Sequence, residues 1–253
     1  MLQKEKQGVR YLEFELFADF PHVRHAIFLR DGGFSEGCYS SLNLSYFVGD
    51  EETHVKQNEE KILSILGASK LARGNLCHGK SVVDAASLRS NSFRSKLSSD
   101  GIATKELNLC LLSTHADCQA ALFYDPVHHA AANVHAGWRG NVQNIYQETV
   151  HFMKKAYATK SQDLHVCISP SLSPDHAEFL NYKKELPAAF WQFEAAPDHF
   201  DFWEISRMQL LEAGLLPHHI QIAKIDTFSN EKDYFSYRRN NITGRNASVI
   251  QLC

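Results

Sequence analysis

Three apolar segments in close succession constrain this chain more than any other feature: "LNLCLLS" (107–113), "QAALFY" (119–124) and "HAAANV" (129–134). Each predicts a β-strand, with a turn at Asp125-Pro126 between the second and third. Their near-continuous apolar character predicts sheet buried on both faces rather than sheet with one wet face. Polar residues collect at the ends of these segments. Cys118 stands between the first and second, and His135 follows the third. Packing alone has no evident use for a thiol and an imidazole there.

Further elements alternate on either side. "RHAIFLR" (24–30) predicts a strand that stops at Asp31-Gly32-Gly33. Residues 53–67 predict a helix, with Val55, Ile62, Ile65 and Leu66 near one face and Gly67 as its stop. Residues 141–157 predict a second, lined by Val142, Ile145, Tyr146, Thr149, Met153 and Tyr157. A third is expected over 201–214, with Asp201 as cap, Glu204 at the capping-box position and Gly214 at the end. Strands are expected at 164–169, 219–225, 234–239 and 247–253, and the serine-rich stretch 87–99 reads as a surface loop. No internal repeat or linker composition interrupts the 253 residues. The expectation is one mixed α/β domain, 1–253, with layered mixed β-sheets flanked by helices.

Composition excludes several function classes. With 44% hydrophobic and 22% charged residues, the chain has the make-up of a soluble globular protein. A net charge of −3 gives no electrostatic case for nucleic acid or an anionic membrane. No apolar run approaches the roughly 18 residues that span a bilayer. The charged N-terminus has no core like that of a signal peptide. The six cysteines lack CxxC pairs or a disulfide framework. A cytoplasmic location is the expectation.

The stretch after His135 adds Gly137 and Gly140 just ahead of the predicted helix, and Arg139 between them. Free N–H groups at a helix start, with a guanidinium beside them, attract phosphate or carboxylate. Cys118 and His135 would then hold a metal or act as nucleophile and base. The alternative is a cysteine packed as a small buried hydrophobe and a hydrogen-bonded histidine. Neither H-E-x-x-H nor CxxC is present to decide between them.

The segments "GGFSEGCYSSLNLS", "VGDEETHVKQNEEKI", "HGKSVV", "DGIAT", "HADC", "VHAGWRG" and "YFSYRRNNITGR" resemble the YfiH or laccase-domain family in order and spacing. The resemblance runs from about residue 24 to the C-terminus. It implies a YfiH-like fold and a mononuclear metal site, usually zinc, made by His78, Cys118 and His135. Copper is an alternative at the same site, because it outranks zinc in intrinsic affinity. Two imidazoles and one thiolate with an open fourth position match catalytic rather than structural zinc. The resemblance also implies phosphorolysis of adenosine, inosine and methylthioadenosine, and adenosine deamination, so the partners are a nucleoside and phosphate. A bacterial branch is linked to editing of peptidoglycan precursors.

Older descriptions of the family call it multicopper oxidase. Four-copper chemistry needs H-x-H ligand pairs, and none of the fourteen histidines forms one. For phosphate or ribose the candidates are Arg30, Asn43 and Arg139; Asp117 is the candidate to orient a ligand or carry a proton. His115 receives no role, and Arg238, Arg239 and Arg245 are structural or line the site. The chain departs from the family at Asp175-His176, at Asp226-Thr227 and in "NLCHG", where Cys77 competes with His78 as ligand. The rival readings are a thiol hydrolase, with Cys118 as nucleophile and His135 as base, and a metal-stabilised binding protein without catalysis.

Overall fold

The computed structural model describes residues 1–88 and 98–253, so most of the expected 87–99 loop lies outside the described residues. In chain order the first elements are β1 (Leu2–Lys6), β2 (Val9–Glu13), β3 (Val23–Phe28), α1 (Glu52–Leu66), β4 (Lys70–Arg73), β5 (Val82–Asp84) and β6 (Gly101–Thr104). Next come β7 (Leu109–His115), β8 (Gln119–Asp125), β9 (Ala130–Ala136), α2 (Trp138–Val142), α3 (Ile145–Tyr157) and β10 (His165–Ile168). The last are α4 (Tyr182–Glu185), β11 (Glu194–Ala196), β12 (His199–Phe200), α5 (Phe202–Glu212), β13 (Ile220–Ile222) and β14 (Asn246–Leu252).

Two six-stranded mixed sheets carry the fold, ordered β1-β2-β3-β14-β7-β4 and β13-β10-β8-β9-β6-β5. They face each other across a shared core. Ile27, Leu111 and Ile250 of the first sheet pack there against Ile102, Leu122 and Ala131 of the second. The outer face of the first sheet is covered by α1 through Ile62, Ile65 and Leu66. The outer face of the second is covered by α3 and α5, which bring Ile145, Tyr146, Met153 and Leu210. Each sheet is thus clothed on both sides, which explains why every residue of β8 and β9 is buried. No helix among the described residues is long and apolar enough to cross a membrane.

The three clustered strands exist, but they do not share a sheet. β7 pairs with β14 and β4, whereas β8 and β9 form a hairpin in the opposite sheet. The chain passes between the sheets at 116–118 and carries Cys118 in that crossing. The expected 141–157 helix is broken as well. Asn144 adopts a left-handed φ of 55° and caps α3 by accepting from Gln147 N, so Trp138–Val142 forms a short separate turn of helix. Asp201 does cap α5, accepting from Trp203 N and Glu204 N. Glu204 closes no capping box; its Oε1 accepts from Lys224 Nζ at 2.8 Å. Residues 234–239 form no strand: 234–236 are irregular and 237–239 a turn. There Arg239 donates to the carbonyls of Thr227, Phe228 and Tyr234, and Asn246 Oδ1 accepts from Phe235 N, so the polar backbone is satisfied without a ladder.

One buried histidine ties stability to pH. His25 on β3 is 6% exposed, and its Nε2 accepts from Phe14 N at 2.7 Å, so the ring is neutral. Burial pushes its pKa from 6.5 down to about 4. The unfolded chain therefore binds more protons between those values, and the contribution present above pH 6.5 is lost as pH falls towards 4. His25 alone should withdraw about 3 kcal/mol over that window. Urea melts at pH 7 and pH 4.5 check this: His25→Gln should lose less stability between the two than the wild type does.

Candidate metal centre

Each residue of the centre is set by backbone rather than by chance packing. Cys118 sits in the crossing between β7 and β8. The turn before it places Asp117 at a left-handed φ of 85°. Three bonds fix that turn: Asp117 Oδ1 accepts from Thr227 Oγ1 at 2.7 Å, Oδ2 from Arg238 N at 2.6 Å, and its carbonyl from Leu172 N at 3.1 Å. His135 lies within β9, 3% exposed, opposite Ala120 of β8. His78 follows β4 on a looping segment, again at a left-handed φ, 57°. Such values in non-glycine residues cost free energy and persist where surroundings over-determine them.

For His78 those surroundings are largely one side chain, Asp100. Its Oδ1 accepts from His78 N at 2.9 Å, its Oδ2 from Gly79 N at 2.8 Å, and Cys77 Sγ stands 3.0 Å from Oδ2. Its Oδ1 is also 3.1 Å from His135 Nδ1, while the Asp100 carbonyl accepts from His135 N at 2.7 Å. One buried carboxylate thus positions both imidazoles. With Nδ1 of His135 directed at Asp100, Nε2 faces the centre, the arrangement by which second partners orient metal ligands. Burial raises the Asp100 pKa, but the bonds from His135 and Cys77 outweigh it and hold the carboxyl well below its usual range.

The ligand atoms of His78, Cys118 and His135 all lie within 4.8 Å of one another. The two imidazoles meet edge to face, with ring centres 5.0 Å apart. Among the described residues this is the single His/Cys/acid group so arranged. Room for it depends on Gly137, because a Cβ there would come within 3.0 Å of His78 Cδ2 and 3.1 Å of Cys118 Sγ. Cys77 does not compete with His78, since its thiol is turned to Asp100. Burial works against the Cys118 thiolate, yet His135 and His78 outweigh it and bring the thiol down to about 6. Burial likewise opposes charge on His135, which Cys118 and Asp100 reverse, raising it to about 9. Without a metal these shifts favour thiolate and imidazolium; a metal would displace the proton from His135 Nε2, and thiolate with neutral imidazole is a donor set that zinc accepts.

A cavity of about 620 Å³ opens onto the trio. Its lining includes Phe47, Arg73, His115, Tyr237 and Arg245. Arg73 is spoken for by Glu59 and the Leu44 carbonyl. Arg245 uses Nη1 on the carbonyls of Thr243 and Gly244, and its Nε and Nη2 have no partner among the described residues. His115 is fully buried, with Nε2 2.7 Å from Ser248 Oγ. Burial lowers its pKa to about 3, so it stays neutral.

The other sequence candidates stand apart from the cavity. Arg30 stacks on Phe235 and donates to the carbonyls of Ser40 and Glu231. Asn43 is fully buried; its Oδ1 accepts from Ser45 N and Arg245 N, and its Nδ2 donates to Asp50. Arg139 is exposed on α2, its guanidinium 4.3 Å from the Trp138 ring centre. Two of the departures from the family pattern meet one another: His176 Nδ1 is 2.9 Å from Asp226 Oδ2, and the His176 ring stacks on Phe228. Sequence reasoning missed Asp100, although it opens the "DGIAT" segment. It left Arg245 undecided and passed over Phe47.

Relatives match most of the length of the chain. The chain is 30% identical to a purine nucleoside phosphorylase of Bacteroides thetaiotaomicron, with 96% of each covered. It is 30% identical to the purine nucleoside phosphorylase YfiH of Escherichia coli, covering 88% of this chain and 91% of that one. The crystal structure of YlmD from Geobacillus stearothermophilus superposes with a TM-score of 0.87 at 26% identity, over 99% of this chain and 98% of the other. The sequence profile described as multi-copper polyphenol oxidoreductase laccase matches residues 24–253, and the chain belongs to that family, the one that includes the YfiH and YlmD proteins.

Proposed function

We propose that the chain is a zinc-dependent purine nucleoside phosphorylase of the cytoplasm, acting on adenosine, inosine and methylthioadenosine, with adenosine deamination at the same centre. The observation that carries this reading is the convergence of His78, Cys118 and His135 on the wall of a cavity that also holds Arg245. The names of the relatives support the reaction class. When bound, zinc would supply a Lewis-acid charge at the trio, stabilising negative charge that develops on substrate or water. Copper could occupy the same donors.

The chain's own residues do the rest. Asp100 keeps the His135 ring in one tautomer and His78 on its left-handed turn. Arg245 offers guanidinium donors to phosphate inside the cavity; it takes the part for which Arg30, Asn43 and Arg139 are the sequence candidates. Asp117 holds the Cys118 turn through Thr227 and Arg238, a positioning role. The test is product analysis by mass spectrometry on a nucleoside panel. Adenosine and inosine should yield free base and ribose 1-phosphate only when phosphate is present, and adenosine should also yield some inosine. Nucleosides recovered unchanged under all conditions would defeat the reading.

One observation favours a second reading. The Cys118–His135 thiolate–imidazolium pair would also suit a nucleophilic hydrolase. Iodoacetamide separates the two. Loss of activity through Cys118 alkylation in active protein free of metal supports the hydrolase; activity that returns only with added zinc supports the phosphorylase.

A further inference from the structure

Eleven large hydrophobic side chains are exposed among the described residues, and the two that line the cavity at His78, Cys118 and His135 are both aromatic: Phe47, 63% exposed, and Tyr237, 55% exposed. An aromatic ring left in water at a cavity mouth gains most when another flat ring covers it. Their placement is built. Phe47 N donates to Ser45 Oγ at 3.2 Å, and the next carbonyl, Val48, accepts from Tyr39 Oη at 2.7 Å. On the other wall the Arg245 guanidinium carbon lies 5.7 Å from the Tyr237 ring centre. Asn43 ties the walls together, because its Oδ1 accepts both from Ser45 N at 3.1 Å and from Arg245 N at 2.9 Å. This buried amide locks the loop that carries Phe47 to the strand start that carries Arg245.

The geometry points to Phe47 and Tyr237 as the seat of the substrate's heteroaromatic base, a stacking pair that binds it by its flat face. The proposal rests on the phosphorolysis reading above. The base covers the two exposed rings at the mouth, and the sugar extends inward to Arg245 and the trio. Two further facts favour a nucleoside with phosphate over a simple phenol. A cavity of about 620 Å³ is far larger than one ring needs, and a cation stands beside the aromatic wall. Stacking is tolerant of ring substituents because every base presents a π-face, so adenosine, inosine and methylthioadenosine are all accommodated.

The experiment is equilibrium dialysis of the zinc-loaded full chain with adenosine, inorganic phosphate and catechol, alongside steady-state kinetics. Phe47→Ala and Tyr237→Ala should each weaken adenosine binding about tenfold, and raise its KM in proportion. Their Kd for phosphate should stay within twofold of wild type. Phe47→Trp and Tyr237→Phe should restore adenosine binding, which loss of fold or metal would not allow. Both side chains are exposed, so circular dichroism and zinc content should not change.

Adenosine Kd within twofold of wild type in both alanine variants would overturn the proposal. So would catechol binding that is tighter than adenosine and lost in the same variants. Turnover separates this proposal from the activity. A wild type that binds adenosine through Phe47 without phosphorolysis defeats the activity and keeps the stacking site. One that phosphorolyses adenosine with a Phe47-independent KM does the reverse, and one that neither binds nor converts nucleosides defeats both.

Discussion

Cys118→Ala should strip the protein of its bound metal and abolish activity, without unfolding it. The thiol is the single sulfur among the three converging donors, and it is the only one that brings negative charge. Its removal leaves two imidazoles, one of them tied to Asp100, to hold a divalent cation alone. Loss of an outer partner already costs roughly 10- to 100-fold in metal affinity, so loss of a direct ligand must exceed about 100-fold. The substitution lies in a turn held by Asp117, Thr227 and Arg238, not in the core between the sheets, so far-ultraviolet circular dichroism should match wild type. A chelator gives the corollary. Metal binds the native state and stabilises it by mass action, so EDTA should lower the melting temperature of wild type but not of Cys118→Ala. Metal content and turnover at wild-type levels in the variant would refute the assignment.

Asp100→Asn is the second large effect, and it arises outside the ligand set. Asn preserves size but removes the charge and replaces one acceptor oxygen by a donor. The carboxylate now accepts from His78 N, Gly79 N, Cys77 Sγ and His135 Nδ1; an amide cannot serve them all. At least one buried donor is left unpaired, at about 1–3 kcal/mol. Metal affinity should fall by roughly 10- to 100-fold. The pKa of His135 should fall too, since Asp100 is one of the groups that raise it. That last change separates a positioning role from a merely structural one. The His135 resonance, titrated by NMR in metal-free protein, should move to lower pH in Asp100→Asn. An unchanged titration with unchanged zinc affinity would show that Asp100 does not act on the centre.

The sequence disclosed strands and burial more readily than partnership. The segments around 107–134 are strands buried on both faces because each sheet has a helix on one side and the other sheet on the other. An apolar pattern reports that a face is covered, not by what, so the division of β7 from β8 and β9 could not be read. The break at Asn144 was hidden for a related reason. The periodicity of 141–157 continues through it, and only the left-handed cap reveals two helices. Residues 234–239 look like a strand by composition, but Arg239 and Asn246 satisfy their backbone in place of a neighbouring strand. At the site, Cys118 and His135 were legible as polar residues at the ends of apolar runs. His78 came from resemblance alone, because nothing local distinguishes it. Arg30 and Asn43 stand in suggestive motifs, but their donors bond within the fold, and Arg139 lies exposed against Trp138, outside the cavity lining. Asp100 escaped because its work is long-range, reaching back to residues 77–79 and across to His135.

X-ray absorption at the zinc edge, on protein purified without added metal and quantified by mass spectrometry, addresses the central claim most directly. The account predicts about one zinc per chain, bound by one sulfur at about 2.3 Å and two imidazole nitrogens at about 2.0–2.1 Å, with a light-atom ligand completing the shell. Protein without stoichiometric metal, or a shell lacking sulfur, would contradict it.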